Sequence, residues 1–398
     1  MPTLAPVEPN SAVLLWARQE SGYPLERVAK RLGVKPERIE AWEQGEARPT
    51  PHQLQNLARF YHRPLGLFFR TNPPTLPPLA AEYRRLPGVT PGAESPELRL
   101  ALRQMSNRRE TMIELLEELG ESLPDFDLQA HISEGPAHVA ARLRTALGVD
   151  LEAQTAWGSG WQAWAHWRRA VENLGVLVFQ FPSVSLNEAR GLSLLRHPLP
   201  VAAINPKEGT PEARNFTLMH EVVHLMLANG QEEQVAVRES RRGEDWLGVE
   251  RFAEQAASYV LVPEEALRSA IEAERLPRHD WDIGDVRKLA KIFRMTPLAV
   301  ATRLRSSGFL SWPDYLAWKA GWEAYTSGLK PKTGGFATPV AKTLGRAGRP
   351  FTKTVLDALS GNRIGPEVAA RYLNLKYQDF DKLRGALVVQ PGTGGTND

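Results

Sequence analysis

The chain has 398 residues, room for two or three domains at ~100–200 residues each. Its 42% hydrophobic and 24% charged content is that of a folded globular protein. The absence of cysteine excludes a disulfide scaffold, a thiol nucleophile and any Cys-ligated metal. The net charge of +3 is unevenly spread: residues 1–72 carry +3, residues 329–388 carry +7, and the remainder sums to about −7. Such asymmetry predicts a polyanion contact at one or both ends. No apolar run approaches the ~18 residues of a membrane span. The N-terminal MPTLAPVEPN has neither the basic nor the apolar part of a signal peptide. A cytoplasmic protein with no membrane partner is expected.

No internal repeat and no long low-complexity tract is apparent. Residues 10–70 read as short helices in series: one around Leu14–Arg18, one over Leu25–Leu32, one over Pro36–Gln44, then Pro51–Tyr61 and a short apolar Leu65–Phe69. Gly33 supplies the left-handed residue that a tight helix–turn–helix needs. Pro36 suits a first turn, and Gly45 is a stop. The proline cluster at 72–78 cannot continue a helix, and predicts a linker over 73–94. Ser95 as N-cap, Pro96 at the first position and Gly120 past the end bracket a long packing helix. Trp157, Trp161, Trp164 and Trp167 recur at the spacing of one helix face and are expected in the core. Val176–Phe181, Leu192–Leu195 and Val201–Ile204 read as strands of a small sheet. A second boundary falls at 329–335, and the Gly/Thr-rich tail 390–398 is expected to fray.

The segment from Thr210 to Gly230 opens with a capping residue and a first-turn proline, and predicts a helix. Within it stands His220-Glu221-Val222-Val223-His224. Residues four apart lie on one helix face with Cβ atoms ~5–6 Å apart, so both imidazoles can converge on one cation. Glu221 lies beside that axis, where it can hold a water rather than the metal. A catalytic zinc takes three protein ligands and leaves one position open. The next helix, over Val249–Pro263, offers Glu250 and Glu254 on one side, and either can reach a metal by spacing alone.

Arg214-Asn215-Phe216-Thr217-Leu218-Met219-His220-Glu221-Val222-Val223-His224, followed by Glu250-xx-Ala253-xx-Ala256-Ala257-xxx-Leu261-Val262-Pro263, resembles the ImmA/IrrE family of metallo-endopeptidases. Matching the terminal Pro263 places that family's third ligand on Glu250, while Glu254 falls where the family usually has Asn. The resemblance implies an α+β, mostly helical chain: a five-helix N-terminal domain, a zincin-like domain with a small sheet over 95–310, and a C-terminal helical basic region over 311–398. It implies Zn2+, or Mn2+, held by His220, His224 and Glu250, with Glu221 as the catalytic base. Tyr259 is a weak candidate donor to the oxyanion, and Gly191 with the strand after it a candidate edge for aligning an extended peptide. The implied substrate is a transcriptional repressor, cleaved to derepress genes, often under stress.

Residues 1–72 resemble Xre-type (Cro/cI-like) helix-turn-helix domains, through Trp16-Ala17-Arg18, Leu25 to Val34, and Ile39 to Thr50. Such domains lay the third helix in the major groove, so Lys35, Glu37 and Arg38 are the candidate DNA readers. Glu40 and Glu43 on that helix are expected to weaken its pull on phosphate. The alternative to a peptidase is a DNA-binding regulator whose metal fold serves sensing or antitoxin-like protein contact without proteolysis.

Overall fold

The computed structural model describes residues 8–75, 94–181, 183–230, 244–328 and 337–388. The predicted linker is described only at its two ends. The boundary at 329–335 and the tail at 390–398 lie outside the described residues. The chain divides into two compact units, Met1–Gln104 and Met105–Asp398.

The first unit holds α1 (Ser11–Ser21), α2 (Leu25–Leu32), α3 (Pro36–Gln44) and α4 (Pro51–Phe60), then a 3-10 turn over Leu65–Phe69. Gly22, Gly33 and Gly45 stop the first three helices in the left-handed conformation that a Cβ disfavours. Thr50 and Gln53 form a capping box on α4. Val13, Leu14, Ala17, Val28, Ile39, Trp42, Leu57 and Phe68 fill the core between them. α5 (Pro96–Leu119), capped by Ser95, starts in this unit and ends in the next. Arg103 on its first half bonds Glu20 at 2.7 Å.

The second unit is built around a buried helix. α6 (Pro136–Leu147), α7 (Leu151–Ala156) and α8 (Gly160–Asn173) lead to strands β1 (Leu177–Gln180), β2 (Gly191–Leu194) and β3 (Val201–Ile204). The sheet order is β1-β3-β2, with β1 parallel and β2 antiparallel to β3. All twelve strand residues are buried, as expected for strands covered on both faces. α9 (Pro211–Asn229) packs against β2, β3, α8 and α10 (Glu244–Leu261). From Phe216 to Ala228 it is apolar except at Thr217, His220, Glu221 and His224, and most of that stretch is buried. α11 (Glu264–Ala273), α12 (Ile283–Phe293), α13 (Pro297–Ser306) and α14 (Trp312–Ser327) follow. The chain closes with α15 (Pro339–Ala347), α16 (Arg349–Ser360), α17 (Pro366–Leu373) and α18 (Phe380–Val388). The architecture is mostly helical α+β with one three-stranded sheet. Among the described residues no helix is long and apolar enough to cross a membrane.

The tryptophan stripe needs a correction. Trp164 and Trp167 on α8 are buried, and Trp157 is buried outside it, but Trp161 is 50% exposed. Its ring lies under the Arg214 guanidinium at 4.9 Å, a cation–π contact that holds an aromatic at the surface.

Candidate metal centre

α9 starts from Thr210, whose side chain accepts from Ala213 N, with Pro211 in the first turn. Arg214 ties the preceding loop to it by donating to the Pro206 carbonyl at 2.7 Å. Two turns into the helix, His220 and His224 point the same way: their Nε2 atoms are 3.0 Å apart, with the rings edge-on at 73°. From α10, Glu250 brings Oε2 to 3.5 Å from His220 Nε2 and Oε1 to 3.8 Å from His224 Nε2. One donor atom from each of the three lies within 4.8 Å of the others. A tetrahedron drawn at ~2.0–2.1 Å bond lengths has edges of about 3.3 Å, so this donor set fits one small divalent cation. Glu254, the other candidate carboxylate on that helix, is exposed and outside the cluster.

α10 is held in place from its far end. Its last carbonyls lack helical partners, and three distant side chains supply them. Arg144 donates to Val260 O at 2.6 Å, Gln154 to Leu261 O at 2.9 Å, and Arg303 to Val262 O at 2.9 Å. Arg303 also lies 4.0 Å over the Tyr259 ring, which gives that tyrosine a packing role.

Glu221 is buried beside the imidazoles on α9. Its carboxylate lies against the start of β2: a Cβ added at Gly191 would stand 2.5 Å from Glu221 Oε1 and 2.7 Å from Thr217 Cγ2. Glycine at 191 thus makes room for the carboxylate. The sequence marks Gly191 only as part of a candidate edge, because the helix residue that packs on it, Glu221, is distant in the chain. Glu208 escapes sequence reading for the same reason. It is buried, accepts from Arg190 at 3.2 Å, and lies 3.5 Å from the Thr217 hydroxyl one turn before Glu221.

In the first unit Lys35 occupies the N-cap position of α3, and Lys35, Glu37, Arg38 and Glu40 are all exposed. Glu43 is the exception among the acids of that helix. It is buried and paired with Arg18, both nitrogens at 2.7 Å, and this bond holds the arginine above its usual pKa. The expected repulsion of phosphate by Glu43 therefore falls away; Glu43 ties α1 to α3.

Two family models match the chain: one described as helix-turn-helix, over residues 14–68, and one described as IrrE N-terminal-like domain, over residues 171–305. The second spans β1 through most of α13 and so contains the whole His220–His224–Glu250 cluster. No curated protein matches. The chain joins a helix-turn-helix domain to an IrrE N-terminal-like domain of metallopeptidase-like fold.

Proposed function

We propose that this chain is a metal-dependent endopeptidase joined to a DNA-binding domain, and that it cleaves a transcriptional repressor to release silenced genes. The observation that carries the reading is the convergence of His220, His224 and Glu250, with Glu221 buried beside them. Two imidazoles and a carboxylate suit Zn2+, and Mn2+ is compatible with the same donors. A cation held there supplies Lewis-acid polarisation of the scissile carbonyl and lowers the pKa of water towards ~7. Glu221 takes the proton from the attacking water and returns it to the leaving amine. β2 is an edge strand, so an extended peptide aligns by backbone pairing along Gly191–Leu194. In the first unit, Lys35, Glu37 and Arg38 stand where a helix-turn-helix reads the major groove.

The test is incubation of the zinc-loaded chain with repressor proteins from the same genome, with and without a chelator, beside Glu221→Gln. Cleavage by the native chain that chelation stops is expected. The variant should lose ~10²–10⁴-fold in rate while retaining its metal. Cleavage at an undiminished rate by Glu221→Gln overturns the mechanism. Metal uptake without cleavage of any repressor turns the reading towards a sensor or docking domain.

A further inference from the structure

The C-terminal helices carry a geometry already met at the other end of the chain. α2 ends on Gly33, at φ 68°, whose N–H bonds the carbonyls of Ala29 and Lys30; α17 ends on Asn374, at φ 46°, whose N–H bonds those of Ala370 and Arg371. The next amide closes the same wider ring in both, Val34 N to Ala29 O and Leu375 N to Ala370 O, each at 3.1 Å. The second helix then opens alike, with Arg38 N to Lys35 O and Asp379 N to Lys376 O both at 3.0 Å. Every one of these pairs has the same separation in sequence. The apolar positions keep that register: Val28, Ile39 and Trp42 are buried in the first motif, and Ala369, Phe380 and Leu383 in the second. α16 packs on both α17 and α18 as the supporting helix. The motifs differ in the entry to the second helix, which runs through a 3-10 turn at Tyr377–Asp379 rather than directly from a proline, and α17 meets that helix at this turn where α2 packs along α3.

We infer that α17 and α18 form a second helix-turn-helix, and that it binds duplex DNA with the start of its second helix in the major groove. The solvent face carries the chemistry for this. Lys376, Tyr377, Gln378, Lys382 and Arg384 are exposed, and residues 337–388 hold nine Lys and Arg against four Asp and Glu. Lys376 stands at the position of Lys35, and Gln378 at that of Glu37. Lysine serves phosphate, and glutamine at the head of a recognition helix reads adenine through two hydrogen bonds. Asp379 and Asp381 share the helix, but Asp379 is bonded by Lys382 at 3.1 Å and Asp381 is paired with Arg384 at 3.5 Å. The net positive field favours a polyanion over an acidic protein surface, since the shape presented is the one that seats in a groove. This inference does not depend on proteolysis.

The test measures binding of the full chain to a fluorescent random-sequence DNA duplex across a series of salt concentrations. A Lys35→Ala/Arg38→Ala background removes the phosphate and base partners expected of the first motif. Salt-sensitive binding persists in that background. Adding Lys376→Ala/Lys382→Ala reduces the slope of log affinity against log salt by about two, one for each phosphate no longer neutralised. It also weakens binding at least tenfold. A charge-matched Lys288→Ala/Lys319→Ala pair on α12 and α14 leaves the slope unchanged. Loss of all binding in the background alone, an unchanged slope after the Lys376/Lys382 change, or an equal effect of the control pair each overturns the inference. Because Lys376 and Lys382 are exposed, unaltered thermal melting separates a direct effect on DNA binding from misfolding.

Discussion

Gly191 and Glu221 compete for the same space, and only glycine lets the carboxylate stay. Gly191→Ala is expected to displace Glu221 and cost ~10²-fold or more in peptide cleavage, the usual penalty for a reacting group moved by an ångström. Metal uptake should be intact, because the atoms nearest a Cβ at 191 belong to Glu221 and Thr217 and not to His220, His224 or Glu250; peptidase assay and metal titration on the one variant separate the two effects. A second prediction concerns pH. His166 stacks on the Trp157 ring at 5.0 Å, and burial, helped by Arg169, holds its pKa below the ordinary value. The unfolded chain therefore binds the proton more readily, and folding stability falls as pH drops through the unfolded value near ~6.5. His166→Gln should flatten the decline of melting temperature between about pH 7.5 and 5.5; an unchanged decline contradicts this. The two imidazoles were legible from spacing alone, since four residues fix one helix face. The choice between Glu250 and Glu254 was not, because they share a side of α10. That choice is made by how Phe252, Ala253, Ala256 and Ala257, all in the core, set the helix against its neighbours.

Among elements, α9 and α10 form a centre because each is anchored at one end. Gln154 shows how. Fully buried, it donates at 2.9 Å to Leu261 O on α10 and at 3.1 Å to Phe293 O on α12. Gln154→Ala leaves two buried carbonyls without those bonds, and is expected to cost ~1–3 kcal/mol in urea unfolding. A loss near zero would show that water replaces the amide. Such anchors were invisible in the sequence, since donor and acceptor lie far apart in the chain. α2, α3, α5 and α9 were legible, down to the capping residues at Ser95 and Thr210, because caps, first-turn prolines and stop glycines are local signals. The same rule hid α17. Its stop is Asn374, the less common left-handed residue, so a reading keyed to glycine found no second turn and no internal repeat.

For the whole molecule, the uneven charge pointed to a polyanion contact at one or both ends, the His220–His224 spacing to a metal in the middle, and the resemblance of residues 1–72 to a DNA-binding end. The two family matches fall on those two parts. The packing of the C-terminal helices was not foreseeable. Arg168 on α8 reaches the carbonyls of Leu344 and Gly345 at 3.2 and 3.1 Å and that of Val178 on β1, while holding Glu172 at 3.0 Å. One buried arginine thereby joins α8, β1 and α15, and burial raises the pKa of the Glu172 it pairs with. Arg168→Met leaves that buried carboxylate without its ion partner and with only the Arg349 backbone N–H as a donor, with an expected loss of ~3–5 kcal/mol, read as a lower urea midpoint for this unit. The account rests most directly on the cation itself. Zinc titration of the metal-stripped full chain should give one tight site, retained in Glu221→Gln and weakened at least tenfold in both His224→Ala and Glu250→Ala. A chain that takes up no zinc, or whose affinity ignores the loss of Glu250, contradicts it.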